Sequence, residues 1–174
     1  MEAQIKAIEA TYNGYKFRSR LEARVAVLFD RMGVTWHYEY EGYQCPSGYY
    51  VPDFWLPDSY LRESKGVLLE VKPSNHDHVH TQLEHVATEL NVGALLLCGF
   101  ELNDQDALNL YQIAPPWDCD MRPYHCLNCH STLFSYCCGS YYKSCPHCHH
   151  EESVARNFDV FRIAYEYAIR YRFW

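Results

Sequence analysis

Apolar residues recur at helical spacing in "SRLEARVAVLFDRMG", where Leu21, Val25, Leu28 and Met32 share one face, Ser19 opens the segment and Gly33 supplies a stop. The pattern predicts an amphipathic helix. Two runs rich in β-branched and aromatic residues follow, "VTWHYEYEGYQC" and "GYYVPDFWLP", and the "PSG" between them predicts a hairpin. "GVLLEVKP" reads as a third strand closed by Pro73, "HDHVHTQLEHVATELN" as a second helix, and "VGALLLCG" as a short buried strand. Residues 101–117 predict a helical turn, the short strand "YQIA" and a Pro-Pro-Trp exit. In the last segment, Val154, Phe158, Phe161, Ala164, Tyr165 and Ala168 again fall at helical spacing, with Glu151 and Glu152 near the start and arginines near the end, as the helix dipole favours. The predicted order is helix, three strands, helix, strand, followed by a less regular region and a closing helix.

Composition narrows the classes. With 174 residues, 48% of them hydrophobic and 21% charged, the chain can bury a core of its own. No stretch approaches the roughly 20 apolar residues of a membrane span, and "MEAQIKAIEATYNGYK" lacks the apolar centre of a signal peptide, so no membrane partner and a cytoplasmic location are expected. A net charge of -7 argues against a generic DNA-coating protein. Contact with nucleic acid must then rest on local basic groups, of which Arg18, Arg20, Arg24 and Arg31 form one cluster and Arg156, Arg162, Arg170 and Arg172 another, although a solvated helix face is the more common explanation for Arg156, Arg162 and Arg170.

Two acids stand in apolar surroundings: Asp53 within "YYVPDFWLP" and Glu70 within "GVLLEVKP". Burying a carboxylate there costs several kcal/mol unless something pairs with it. If the two strands form a hairpin through "DSYLRESK", the register that aligns Pro57 with Gly66 sets Asp53 opposite Glu70, with Cβ atoms roughly 4.5–5.5 Å apart. Glu70 and Lys72 then project from one face and Val71 from the other. A divalent cation between the acids converts their repulsion into coordination, since Mg²⁺ selects hard oxygen ligands, and the lysine can hold a water or steady charge developing on a phosphate.

"VPDF" followed by "LLEVK", within helix-strand-strand-strand-helix-strand order, resembles the PD-(D/E)xK nuclease superfamily of restriction-endonuclease-like enzymes. With "RSRLEAR" on the first helix, the chain is also similar to small nucleases of phages and bacterial mobile elements over about residues 15 to 100. The resemblance implies an α/β fold with an αβββαβ core, its mixed sheet flanked by helices. It implies a metal-dependent endonuclease that hydrolyses DNA phosphodiester bonds in the cytoplasm of a bacterial host. The implied catalytic set is Glu22, Asp53, Glu70 and Lys72; Asp53, Glu70, the Val71 carbonyl and Glu22 would hold Mg²⁺ or Mn²⁺. Arg18, Arg20, Arg24, His80 and Lys143 are candidate DNA contacts, with Gln82 a further polar group near the site.

A second, independent pattern is "CLNC", Cys126 and Cys129, with "CPHC", Cys145 and Cys148, separated by 15 residues. Two CxxC pairs at this spacing predict a structural Zn²⁺ held by four thiolates with no open position for catalysis. The intervening "FSYCCGSYYKS" reads as a ribbon hairpin with Gly139 near its turn; His125, His130, His147, His149 and His150 remain possible substitutes for one cysteine. The ribbon can grip nucleic acid through Tyr141, Tyr142 and Lys143, bind a partner protein, or act as a staple. The expected organisation is a nuclease core over 1–118, a zinc ribbon over 119–150 and a helix over 151–174 that packs back on the core.

Simpler roles exist for the same residues. Glu22 lies three residues after Ser19, as in a capping box. Glu70 and Lys72 can form a solvated ion pair worth under about 1 kcal/mol. A catalytically silent or partner-dependent nuclease-fold module, binding nucleic acid or protein through its ribbon, is the alternative function, and a two-strand cutter would need a homodimer.

Overall fold

The computed structural model describes residues 7–61, 64–73, 80–103, 108–114, 121–125, 129, 132–136, 145, 147–149 and 158–173. Among them the chain forms β1 (Ala10–Tyr12), β2 (Tyr15–Phe17), α1 (Arg20–Met32), β3 (His37–Tyr38), β4 (Tyr43–Cys45), β5 (Gly48–Tyr50), β6 (Phe54–Leu61), β7 (Ser64–Lys72), α2 (Thr81–Leu90), β8 (Gly93–Leu102), β9 (Leu108–Ala114), β10 (Met121–His125), β11 (Thr132–Tyr136) and α3 (Phe158–Arg170). It is an α/β fold built on one mixed sheet in the order β10-β11-β6-β7-β8-β9, with β3 also paired to β6. The β7–β8 and β11–β6 pairs are parallel and the others antiparallel.

Both faces of this sheet are covered, which is why its central strands read as unbroken apolar runs. Val67, Leu69 and Val71 of β7 join Leu95 and Leu97 of β8 in a core shared with α1, α3 and Phe17. Leu68, Leu96 and Cys98 point the other way, towards Leu83, Val86 and Ala87 of α2 and towards Cys45 and Tyr50 of the β4–β5 hairpin. Glu70 and Lys72, at even positions with Leu68, belong by alternation to this second face.

Helix α1 begins and ends as its sequence predicts. Ser19 accepts a hydrogen bond from the Glu22 amide, and Gly33 closes the helix at φ 68°, where its amide returns to Asp30 and Phe29. Asn91, at φ 54°, ends α2 in the same left-handed way.

Several strands differ from their predicted form. The run "VTWHYEYEGYQC" is not one strand: Glu39 at φ 45° separates β3, which pairs with β6, from β4. "GYYVPDFWLP" divides between Tyr50 and Phe54, so the predicted hairpin exists as β4–β5 but forms a two-stranded sheet of its own, with Cys45 opposite Gly48. Strand β8 runs ten residues, longer than "VGALLLCG" suggests. The hairpin β1–β2, turning at Asn13 and Gly14, was not predicted. Strand β11, within the predicted ribbon, joins the main sheet, pairing Thr132–Phe134 with Ser59–Leu61. The helical turn near 104–107, the ribbon turn at Gly139 and the helix segment before 158 lie outside the described residues. No helix among the described residues is long and apolar enough to cross a membrane.

Candidate metal-dependent active site

The hairpin of β6 and β7 carries the acids. Phe54 pairs with Leu69, Trp55 with Leu68 and Leu56 with Val67, so one step beyond the Phe54–Leu69 pair Asp53 stands opposite Glu70. This is the register in which Pro57 would face Gly66. The ladder then shifts between Leu56 and Tyr60, so that Tyr60 faces Lys65. Pro57 has no N–H to offer a ladder, and Gly66, at φ 88°, lies under the Trp55 ring: a Cβ there would come within 2.1 Å of Trp55 Cη2.

Asp53 is 2% exposed and Glu70 4%, so both carboxyl groups are out of water. Strand β6 begins at Phe54, and just before it the Asp53 side chain continues the ladder by accepting the Val71 amide at Oδ2, 2.7 Å away. Its Oδ1 accepts from Arg18 Nη2 at 2.5 Å, and Arg18 Nε reaches Glu39 Oε1 at 2.9 Å. Glu70 Oε2 accepts the Tyr50 hydroxyl at 2.7 Å, while Lys72 Nζ bonds Glu70 Oε1.

Burial, and after it the negative charge of Glu70, push the Asp53 carboxyl up to about 7, although the Val71 amide and Lys72 pull in the other direction. Glu22 adds to the same negative field. The pair therefore concentrates negative charge in a dry place, the condition in which a bound cation is favoured. Burial first, and then the Glu70 charge, raise the Tyr50 phenol, so it stays a donor. Tyr38 is raised by burial and by its bond to Glu22.

Glu22 is 7% exposed and serves the start of α1. Its Oε1 accepts from the Ser19 hydroxyl at 2.8 Å; its Oε2 accepts the Tyr38 hydroxyl at 2.5 Å and the Arg18 amide at 3.2 Å. This is a capping box displaced by one residue, since the side chain reaches the amide before the cap rather than that of Ser19. A cavity of about 500 Å³ opens beside these groups, with Arg18, Glu39, Tyr50, Glu70, Lys72 and His80 among its walls and Gln82 on the α2 side.

The structure thus brings Asp53, Glu70, Lys72 and the Val71 backbone together, with Glu22 near them. Arg18, read from sequence as a DNA contact, has its guanidinium against Asp53 and Glu39. Arg20 is exposed; Arg24 is half-buried, with its Nε enclosed and unbonded. Lys143 lies outside the described residues. Sequence reasoning missed Tyr38, Tyr50 and Glu39. With 16 tyrosines in the chain, nothing local distinguishes the two that hold the acids.

Far along the chain, Cys129, Cys145 and Cys148 gather with their ligand atoms within 4.8 Å of one another. Cys129 and Cys145 sulfurs are 3.7 Å apart, far from disulfide distance but close to the edge of about 3.8 Å that a tetrahedron with Zn–S bonds of about 2.3 Å requires. The thiol set fits a closed structural zinc site; Cys126, the expected fourth ligand, lies outside the described residues. The exposed His147 ring approaches Tyr60 of β6, 5.9 Å between centroids, and the His149 amide turns back to the Cys145 carbonyl at 2.8 Å. Compared with known proteins, the chain matches no family model, no curated protein and no solved structure.

Proposed function

We propose that the chain is a Mg²⁺- or Mn²⁺-dependent endonuclease of the PD-(D/E)xK type, hydrolysing DNA phosphodiester bonds in the bacterial cytoplasm. The observation that carries this reading is the placement of Asp53 opposite Glu70, both buried, with Lys72 on the same face as Glu70. The order α1, β3, β6, β7, α2, β8 supports it, because these elements follow the αβββαβ arrangement expected of that core.

In this reading Asp53, Glu70 and the Val71 carbonyl, joined by Glu22, would hold the ion. When bound, it supplies a polarised phosphate and a more acidic water. The chain's own groups do the positioning: Tyr50 fixes the Glu70 carboxylate, Tyr38 and Ser19 fix Glu22, and the Val71 amide fixes Asp53. Lys72 orients the attacking water or steadies charge on the phosphate, a role suited to an amine already held beside Glu70. Arg20, exposed at the start of α1, offers a cation to the DNA backbone. The thiol cluster holds Zn²⁺ as a structural staple, with Cys126 completing the set.

One observation favours a second reading, a module silent on its own and completed by a partner protein. Each oxygen of Asp53 and Glu70 already accepts from a donor of the chain itself: Arg18, Val71, Tyr50 or Lys72. Incubation of the purified protein with supercoiled, linear and branched DNA plus Mg²⁺ or Mn²⁺ separates the two. Cleavage that disappears in folded Asp53→Ala and Lys72→Ala supports the enzyme, whereas DNA binding without cleavage supports the module.

A further inference from the structure

Arg18 is anchored and free in an unusual combination. Its backbone amide is held by Glu22 Oε2 and by the Tyr38 hydroxyl, each at 3.2 Å. Its side chain is 58% exposed, yet its tip reaches a carboxyl group that is almost entirely buried. Nη2 contacts Asp53 Oδ1 at 2.5 Å, while Nε contacts Glu39 at 2.9 Å.

The chemistry of the contact sets up a competition. Asp53 Oδ2 is engaged by the Val71 amide, so Oδ1 is the oxygen that Arg18 and an incoming ion would share. A Mg²⁺ ion needs its oxygen ligands at about 2.0–2.1 Å and tolerates little distortion. A guanidinium nitrogen hydrogen-bonded to that oxygen stands in its way. Displaced from Asp53, the guanidinium keeps Glu39 as a pivot, and it stays on the wall of the cavity that also presents Glu70 and Lys72. There its planar donors match the geometry of a phosphate.

We propose that Arg18 is an exchangeable counter-ion: it neutralises Asp53 in the metal-free protein, yields that oxygen to the divalent ion, and turns about Glu39 to bind the phosphate of the substrate. This rests on reading the site as that of a metal-dependent nuclease. Such an exchange keeps the buried acids paired at every stage and couples ion loading to the release of a phosphate-binding group.

The test uses the full chain in its zinc-loaded form and counts free Mn²⁺ by electron paramagnetic resonance, with binding that is absent from Asp53→Asn assigned to this site. Arg18→Gln removes the competing cation and is expected to bind Mn²⁺ about tenfold more tightly, the scale of a partly buried ion pair. With zinc retained, the same variant should lose thermal stability when no Mn²⁺ is added, regain it with Mn²⁺, and bind a short DNA duplex more weakly in Ca²⁺. Arg18→Lys, which keeps the charge but cannot bridge Asp53 and Glu39, is expected to lie between and serves if the glutamine variant fails to fold. Mn²⁺ affinity that is unchanged or lower in both variants would overturn the exchange while leaving the metal site standing. Failure of the wild type to bind Mn²⁺ would overturn the site and the exchange together.

Discussion

Tyr50 donates its hydroxyl hydrogen to Glu70 at 2.7 Å, tying the small β4–β5 hairpin to the strand that carries Glu70 and Lys72. The contact crosses two sheets that share no backbone ladder among the described residues. It accounts for how a 4% exposed carboxylate keeps one fixed orientation, with Lys72 on its other oxygen. Tyr50→Phe removes the donor without changing the packing. A hydrogen bond to a charged group contributes about 1.5–3 kcal/mol, and circular-dichroism melts of the zinc-loaded chain without added Mg²⁺ or Mn²⁺ should show a loss of this order. An unchanged melting temperature would mean that Glu70 is satisfied without Tyr50.

Asp53 sets a pH dependence whose sign is opposite to that of an ordinary salt-bridged acid. Its carboxyl is raised from 3.8 to about 7 in the fold, so between those values the folded chain holds a proton that the unfolded chain has released. The contribution of this group to stability therefore falls as pH rises through that window, and the full penalty is present above it. Asp53→Asn removes the charge. Urea titrations of the metal-free protein should find this variant more stable than wild type at pH 8, by an amount on the order of a few kcal/mol, with the gap closing towards pH 4. A gap that stays constant across the range would contradict the assignment.

The thiol cluster predicts one zinc per chain. Cys145 is fully buried, and Cys145→Ser should abolish the bound metal measured by elemental analysis. Because Thr132–Phe134 pair with Ser59–Leu61, metal removal should also speed hydrogen exchange at amides on both sides of that pairing. Zinc retained in the serine variant would show that other residues hold the ion.

Gly66 permits the crossing of Trp55 over β7. Gly66→Ala places a methyl within 2.1 Å of the indole at a φ of 88° that a side chain disfavours. Backbone strain and overpacking together should cost about 2–5 kcal/mol in urea unfolding. A shift in tryptophan emission should accompany it as the ring is pushed aside.

Much of the arrangement around the acids was legible because it follows from local rules. The period of α1 and its Ser19 and Gly33 ends are local features, and the facing of Asp53 and Glu70 needs only a hairpin and the two-residue alternation of strands. The shift after Leu56 was also legible in principle, since Pro57 interrupts any ladder. So was β1–β2, because Asn-Gly between short alternating runs favours a tight hairpin turn. The break at Glu39 was not, because a non-glycine residue at positive φ leaves no pattern in sequence. Nor was the pairing of Arg18 with Asp53, made 35 residues apart by the packing of α1 against the sheet. Local patterns placed the acids; the identity of their partners depended on tertiary contacts.

The outer edge of β6 is divided: β3 occupies the end near Asp53, and β11 occupies Ser59–Leu61. A chain lacking residues 119–150 but keeping α3 would leave Ser59–Leu61 as a bare, largely apolar strand rim, open to pairing with the same rim of another molecule. Such a variant should self-associate, and the cysteine-bearing segment is in this sense a guard against edge-to-edge pairing.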